Sequence, residues 1–205
     1  MPYPTHKLAD ITEIRPGYLT REAVKHDPAG THRILQIRDF SPDRTSANLT
    51  EMISIAPESH SSIRPLQTGD VLFLAKGANN FAFAVPALPA PTLAAAYFFV
   101  LRCTPATLPA YLAWFLNHDS TRAVLTRLST KGAHMPIIRR DILESLDIPL
   151  PPVTIQQTIV NLDACRQEEQ ALLTDQRRYQ ILHLSQAWHF ARRPQSTGWP
   201  TDKQR

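Results

Sequence analysis

Two short segments of this chain concentrate the side chains that a polyanion would need. Lys76-Gly-Ala-Asn-Asn80 offers a cation, a glycine (Gly77) that lets a ligand approach the backbone, and two amides, Asn79 and Asn80, of the kind that pairs with adenine. Lys131-Gly-Ala-His-Met-Pro136, with Gly132 and His134 inside it and Arg139 and Arg140 just beyond, is a second basic, glycine-containing loop. Arg15, Tyr18, Arg21 and Lys25 make a third patch. Lys and Arg suit phosphates, while Arg, Lys, Asn and Gln suit base edges. A solvated loop has the same composition, however, and Asn79-Asn80 equally suits a hairpin turn that tolerates positive φ. The residues alone leave both readings open.

Catalytic chemistry is conspicuous by its missing parts. The chain has no Gly-x-Ser-x-Gly elbow, no Walker-type phosphate loop and no His-Glu-x-x-His zinc motif. It also lacks the Asp/Glu-x-Lys pair of a common nuclease core, the Asn/Asp-Pro-Pro-Tyr/Phe methyltransferase signature and a glycine-rich loop for S-adenosylmethionine. Pro151-Pro152 is flanked by Leu150 and Val153, which cannot hold an amino group for methylation. The eight histidines show no metal-ligand spacing. The expectation is a protein without catalytic residues, metal or cofactor.

The elements that must carry these loops fall into two unlike halves. Residues 1–152 are punctuated by proline and close with Pro149-Leu-Pro-Pro152; beyond them runs a proline-free, glutamine- and charge-rich stretch to about Trp188. Eighteen prolines against six glycines favour stiff, extended connections. In the first half, Leu8, Ile11 and Ile14 suit a short amphipathic helix or turn, ended by Pro16-Gly17. Strands are expected within Thr31–Asp39, at Ile53–Ile55, between two turns within Leu66–Gly77 with Phe81–Val85 as hairpin partner, and at Ala96–Arg102. Helices follow from Pro109, at Asp119–Leu128 with Asp119 as cap, and at Arg140–Leu146 with Asp141 as cap; Ile148–Leu150 is a last edge strand. Tyr97, Phe98, Phe99, Trp114 and Phe115 read as core. The fold class is α+β: a recognition domain over 1–152, a spacer helix over 153–192 and a disordered tail over 193–205.

The helix has its own pattern. Ile155, Ile159, Leu162, Cys165, Leu172, Tyr179 and Leu182 recur with a period of about 3.5 residues, the spacing of a pairing seam, although Glu169 and Gln176 interrupt it. Such an interrupted seam suits register more than maximal stability. At ~1.5 Å per residue this stretch would reach roughly 50 Å.

The bulk numbers bound the partners. A net charge of +4 is a mild basic bias that weighs against an acidic DNA mimic and little else. No apolar run approaches the ~18 residues of a membrane span. With no secretory leader in the first thirty residues and two distant cysteines, Cys103 and Cys165, the expected location is the cytoplasm, with both thiols free.

Taken in order, several blocks resemble type I restriction-modification specificity subunits. Lys7-Leu-Ala-Asp-Ile-Thr-Glu-Ile14 with Gly17-Tyr-Leu-Thr-Arg21 is similar to the opening of a target recognition domain of that family. Leu35-Gln-Ile-Arg-Asp39, Gly69-Asp-Val-Leu-Phe73 and Lys76-Gly77 resemble its middle blocks. Tyr111-Leu-Ala-Trp-Phe-Leu-Asn117 and Ile148-Pro-Leu-Pro-Pro152 with Gln156 or Gln157 resemble its end. The resemblance covers nearly the whole chain, yet a full subunit has two recognition domains and two helices. It therefore implies a half-subunit: a homodimer with antiparallel helices, holding two heads on an inverted-repeat target. It also implies double-stranded DNA, an adenine-specific DNA methyltransferase and a motor-nuclease restriction subunit as partners. The rival readings are a protein scaffold that binds no DNA and an enzyme of unrecognised type.

Overall fold

The computed structural model describes residues 3–20, 23–57, 63–77, 79–129 and 136–191, with side chains as far as residue 183. The chain divides into two compact units, residues 1–161 and 162–205.

Within the first unit the organising element is a four-stranded antiparallel sheet in the order β2 (Thr12–Pro16), β8 (Phe98–Cys103), β5 (Asp70–Leu74), β6 (Ala82–Ala84). Every residue of β5 is buried because both faces of the sheet are covered. Alternation sends Val71 and Phe73 into one core, with Leu101 of β8 and Leu112, Leu116 and Leu125 of two helices. It sends Leu72 and Leu74 into the other, with Phe98 and Val100 of β8. The helices on the first face are α2 (Pro109–Asn117) and α3 (Asp119–Leu128), with the shorter α4 (Arg140–Glu144). The second face is closed by a three-stranded sheet in the order β4 (Ser54–Ile55), β3 (His32–Leu35), β7 (Thr92–Ala94), in which β3 and β7 run parallel. Gly17 lies against this sheet so closely that a Cβ there would stand 2.1 Å from the Ala95 carbonyl oxygen.

A two-stranded pair joins β1 (Thr5–Lys7) to β9 (Asp147–Pro149), so the start of the unit is tied to its end. Between β1 and β2 the chain makes only one helical turn, α1 (Leu8–Ile11). The expected amphipathic segment is thus a turn followed by a strand, because Thr12–Pro16 finds a partner in β8. Two expected caps shift: His118, one residue before Asp119, caps α3, accepting from the Ser120 backbone, and Arg139, two residues before Asp141, stands at the cap position of α4 with no side-chain cap bond. The fold class is α+β, with more strands than the local patterns disclose.

The long helix α5 (Val153–Ala191) opens in the first unit. Gln156 is fully buried there, accepting from Leu108 N at 2.7 Å and donating to Ala106 O at 2.9 Å and Pro151 O at 2.8 Å. Ile159 and Val160 pack on the helix-side core. In the second unit the described large apolar side chains of α5 are exposed, among them Leu162 at 64%, Leu172 at 65% and Tyr179 at 66%. Among the described residues no helix is long and apolar enough to cross a membrane. The tail over 193–205 lies outside the described residues.

Candidate nucleic-acid interface

The two ends of the β5–β6 connection are tied together. Leu74 N donates to Phe81 O at 2.9 Å, and the Asn80 side-chain amide donates to Leu74 O at 2.7 Å. Asn117 at the end of α2 braces the following strand from both sides, accepting from Ala82 N and donating to Ala82 O, each at 2.8 Å. Gly77 sits at φ +125°, a backbone conformation open to glycine and strained for other residues.

The segment leading into α4 lies beside this turn. Gly77 N donates to Pro136 O at 2.9 Å, Ile138 N donates to Ala75 O at 2.8 Å, and Lys76 and Ile137 form an antiparallel bridge. Fifty-odd residues of sequence therefore separate two basic segments that share backbone hydrogen bonds. Lys76 and Asn79 project to solvent. Asn80 is half-buried with its amide nitrogen committed to the turn, so its contribution is to shape as much as to contact. Arg139 pairs with Asp141 at 2.9 Å and Arg140 with Glu144 at 2.7 Å. Both pairs are exposed, where such contacts contribute little and exchange readily for a phosphate. Lys131, Gly132 and His134 lie outside the described residues.

The third patch is not brought to this edge as a unit. Arg15 is turned inward, donating to Arg64 O at 3.0 Å and Pro65 O at 3.2 Å, and its side chain is only 13% exposed. Desolvation lowers its pKa, partly countered by Asp70. Tyr18 is buried in the strand-side core. Lys25 is exposed, and Arg21 lies outside the described residues.

Arg15 belongs to an ion cluster that local sequence patterns do not reveal. Asp70, with a side chain 1% exposed, accepts from Arg102 Nε at 2.9 Å and Nη2 at 3.0 Å, and from Gln67 N at 2.9 Å. Glu13, Arg102 and Asp70 face one another across β2, β8 and β5, and Arg64 reaches Glu13 at 3.0 Å. The bond to Asp70 raises the Arg102 pKa further. This cluster is structural: its carboxylate is buried and fully bonded. Among the described residues no group of three or more His, Cys, Asp or Glu is placed to hold a metal ion.

Known structures resemble this arrangement. The chain superposes on a chain from a type I restriction-modification system, solved in work on complex assembly and conformational transition, with TM-score 0.64 and 20% identity. That match covers 91% of this chain and 44% of the other. The HsdS subunit from Thermoanaerobacter tengcongensis matches with TM-score 0.59 and 19% identity, over 85% of this chain and 40% of that one. The type I S subunit from M. genitalium matches with TM-score 0.51 and 12% identity, over 81% and 39% respectively. The fold is that of one part of these type I S-subunit structures. This chain spans less than half the length of the specificity subunits it matches. No family model matches it, and neither does any curated sequence.

Within the specificity-subunit fold, the blocks that carried the resemblance have visible physical roles. Asp70 of the Gly-Asp-Val-Leu-Phe block anchors the ion cluster. Asn117 braces β6. Of the two glutamines, Gln156 is the buried pin, and Gln157 is exposed. Of the apolar helix stripe, Ile159 packs on the first unit's core, whereas Ile155, Leu162, Leu172, Tyr179 and Leu182 are exposed.

Proposed function

We propose that this chain is the DNA sequence-recognition component of a type I restriction-modification system, without catalytic residues of its own. What supports this above all is the meeting of the Lys76–Asn80 turn with the segment Pro136–Arg140, in a specificity-subunit fold. Lys76, Arg139 and Arg140, with Lys131 and Lys25, would neutralise phosphates. Asn79 is the amide best exposed for a base edge, and Gly77 lets the backbone come close. His134 and Gly132 would extend the same loop. Arg15, Tyr18 and Asn80 would serve by holding the framework rather than by touching DNA.

The exposed stripe of α5 would pair with the same helix of a second copy, antiparallel, giving a homodimer. Two identical heads read an inverted repeat with an unread spacer. The assembly would recruit an adenine-specific DNA methyltransferase, which flips its target base, and a restriction subunit. The place of work is the cytoplasm.

Light scattering after size-exclusion chromatography, on the chain alone and with a candidate adenine methyltransferase, tests the assembly; a stable monomer indifferent to the methyltransferase would refute it. For the interface, Lys76→Ala should flatten the salt dependence of DNA binding by about one unit without changing the preferred sequence. Asn79→Ala should relax preference at one position by ~1–3 kcal/mol. Unchanged binding in both variants would favour the scaffold reading.

A further inference from the structure

The turn after β3 approaches the same edge, though it comes from a distant part of the chain. Tyr97 joins the two: its carbonyl accepts from Ala75 N at 2.9 Å, at the root of the Lys76 turn, and its hydroxyl accepts from Ile37 N at 3.0 Å. Phe40 stacks edge-on against Phe81 with ring centroids 4.9 Å apart, and Phe81 directly follows Asn80. Arg44 lies 5.7 Å over the same Phe81 ring and donates to Ile37 O at 2.9 Å. Arg44 holds φ at +64°, and no other described non-glycine residue has positive φ. A non-glycine residue keeps that conformation only where its surroundings over-determine it.

These bonds hold a 3₁₀ turn, Ile37–Asp39, whose ends are closed by a reciprocal pair: Gln36 N donates to the Asp39 carboxylate at 2.7 Å, and Asp39 N donates to the Gln36 carbonyl oxygen at 3.1 Å. Asp39 is thereby turned inward, at 11% side-chain exposure, while Arg38 beside it is 61% exposed. The ion contact of Arg38 with Asp39 stretches to 4.0 Å. The other carboxylate in the loop, Asp43, accepts from the Ser41 and Thr45 hydroxyls.

We propose that the Ile37–Arg44 turn is a further segment of the nucleic-acid face, in which Arg38 contacts a DNA phosphate and Arg44 positions the turn against the Lys76 loop. The proposal rests on the DNA-binding reading above and adds to it a segment distinct from the Lys76, Lys131 and Arg15 clusters. Arg38 is a contact residue; Arg44 acts through Ile37 and Phe81.

The test uses the full chain and a fluorescently labelled duplex of random sequence, with binding followed by anisotropy across a salt series. Each phosphate contact contributes about 0.9 to the slope of log K against log salt, so between ~50 and ~200 mM salt one contact accounts for roughly 3.5-fold of the affinity lost. Arg38→Ala should shed that 3.5-fold share and leave thermal melting unchanged, as Lys76→Ala should. Arg44→Gly, which accepts the positive φ, should weaken binding with the slope retained. An Arg38→Ala variant with wild-type affinity and slope, beside a weakened Lys76→Ala, would overturn this inference alone. A wild-type chain that shows no salt-dependent binding would overturn the DNA reading and this inference with it.

Discussion

Replacing Gln156 isolates the contact that joins the start of α5 to the rest of the first unit. Gln156→Ala removes one acceptor and two donors at once, from Leu108 N, Ala106 O and Pro151 O. Each buried group left without its partner costs about 1–3 kcal/mol. The three share one site, and water entering the space left by the side chain satisfies part of them, so the total should be about 3–5 kcal/mol. At ~2–4 °C per kcal/mol for a unit of this size, melting should fall by roughly 6–20 °C. Gln156→Glu sharpens the test. It keeps the acceptor for Leu108 N but points a carboxylate at two carbonyl oxygens in a buried site, which raises its folded-state pKa. A raised carboxylate pKa means the penalty is absent below the unfolded value of ~4.3 and grows as pH climbs towards the folded value. The glutamate variant should therefore be less stable than the alanine variant at about pH 8 and recover most of that deficit near pH 4. Urea and thermal melts followed by circular dichroism read both effects. A loss below ~1 kcal/mol for Gln156→Ala, or a glutamate variant indifferent to pH, would refute the pin.

Other expectations concern separate regions. Asp70→Ala leaves Arg102, Arg15 and Gln67 N facing an empty site and should cost about 3 kcal/mol, at the low end for a broken buried pair because Arg102 is 37% exposed; Asp70→Asn should be milder in the same melt. Leu162→Glu combined with Tyr179→Glu should abolish self-association in light scattering while leaving the first unit's melting unchanged. Burial pushes the Cys103 thiol up to about 12, whereas Cys165 is exposed. A disulfide reagent should therefore titrate the Cys165 thiol quickly and the half-buried Cys103 thiol much more slowly until the chain unfolds.

Parts of this structure were legible because they are local. The buried strand Asp70–Leu74, its hairpin with Ala82–Ala84, the start of α2 at Pro109 and the long proline-free α5 all follow from patterns within about forty residues. The block resemblance also led to the right fold at sequence identities of 12–20%. The short strand at Ile53–Ile55 was legible too, whereas β1 and β7, strands of three residues each, carry no periodicity of their own. Their partners supply the order: Thr5–Lys7 is a strand because Asp147–Pro149 lies beside it, and Thr92–Ala94 because β3 does.

The candidate site divides along the same line. Residue chemistry alone marked Lys76, Gly77, Asn79 and the basic segment ending at Arg140 as a cationic, amide-bearing, glycine-containing set. It also marked the apolar stripe of α5, since a helix repeats every few residues and records its exposed face directly in the sequence. Composition could not distinguish an arginine that faces solvent from one that faces Asp70, so Arg15 and Arg38 look alike until the strands pair. Only the tertiary structure set Pro136–Ile138 against Ala75–Gly77, turned Arg15 inward, committed Asn80 to its own turn and chose Gln156 over Gln157 as the buried residue. Apart from the Asn80 bond, which spans six residues, those outcomes depend on hydrogen bonds between segments tens of residues apart, and the free energy of such a contact belongs to the pair, not to either segment's own sequence.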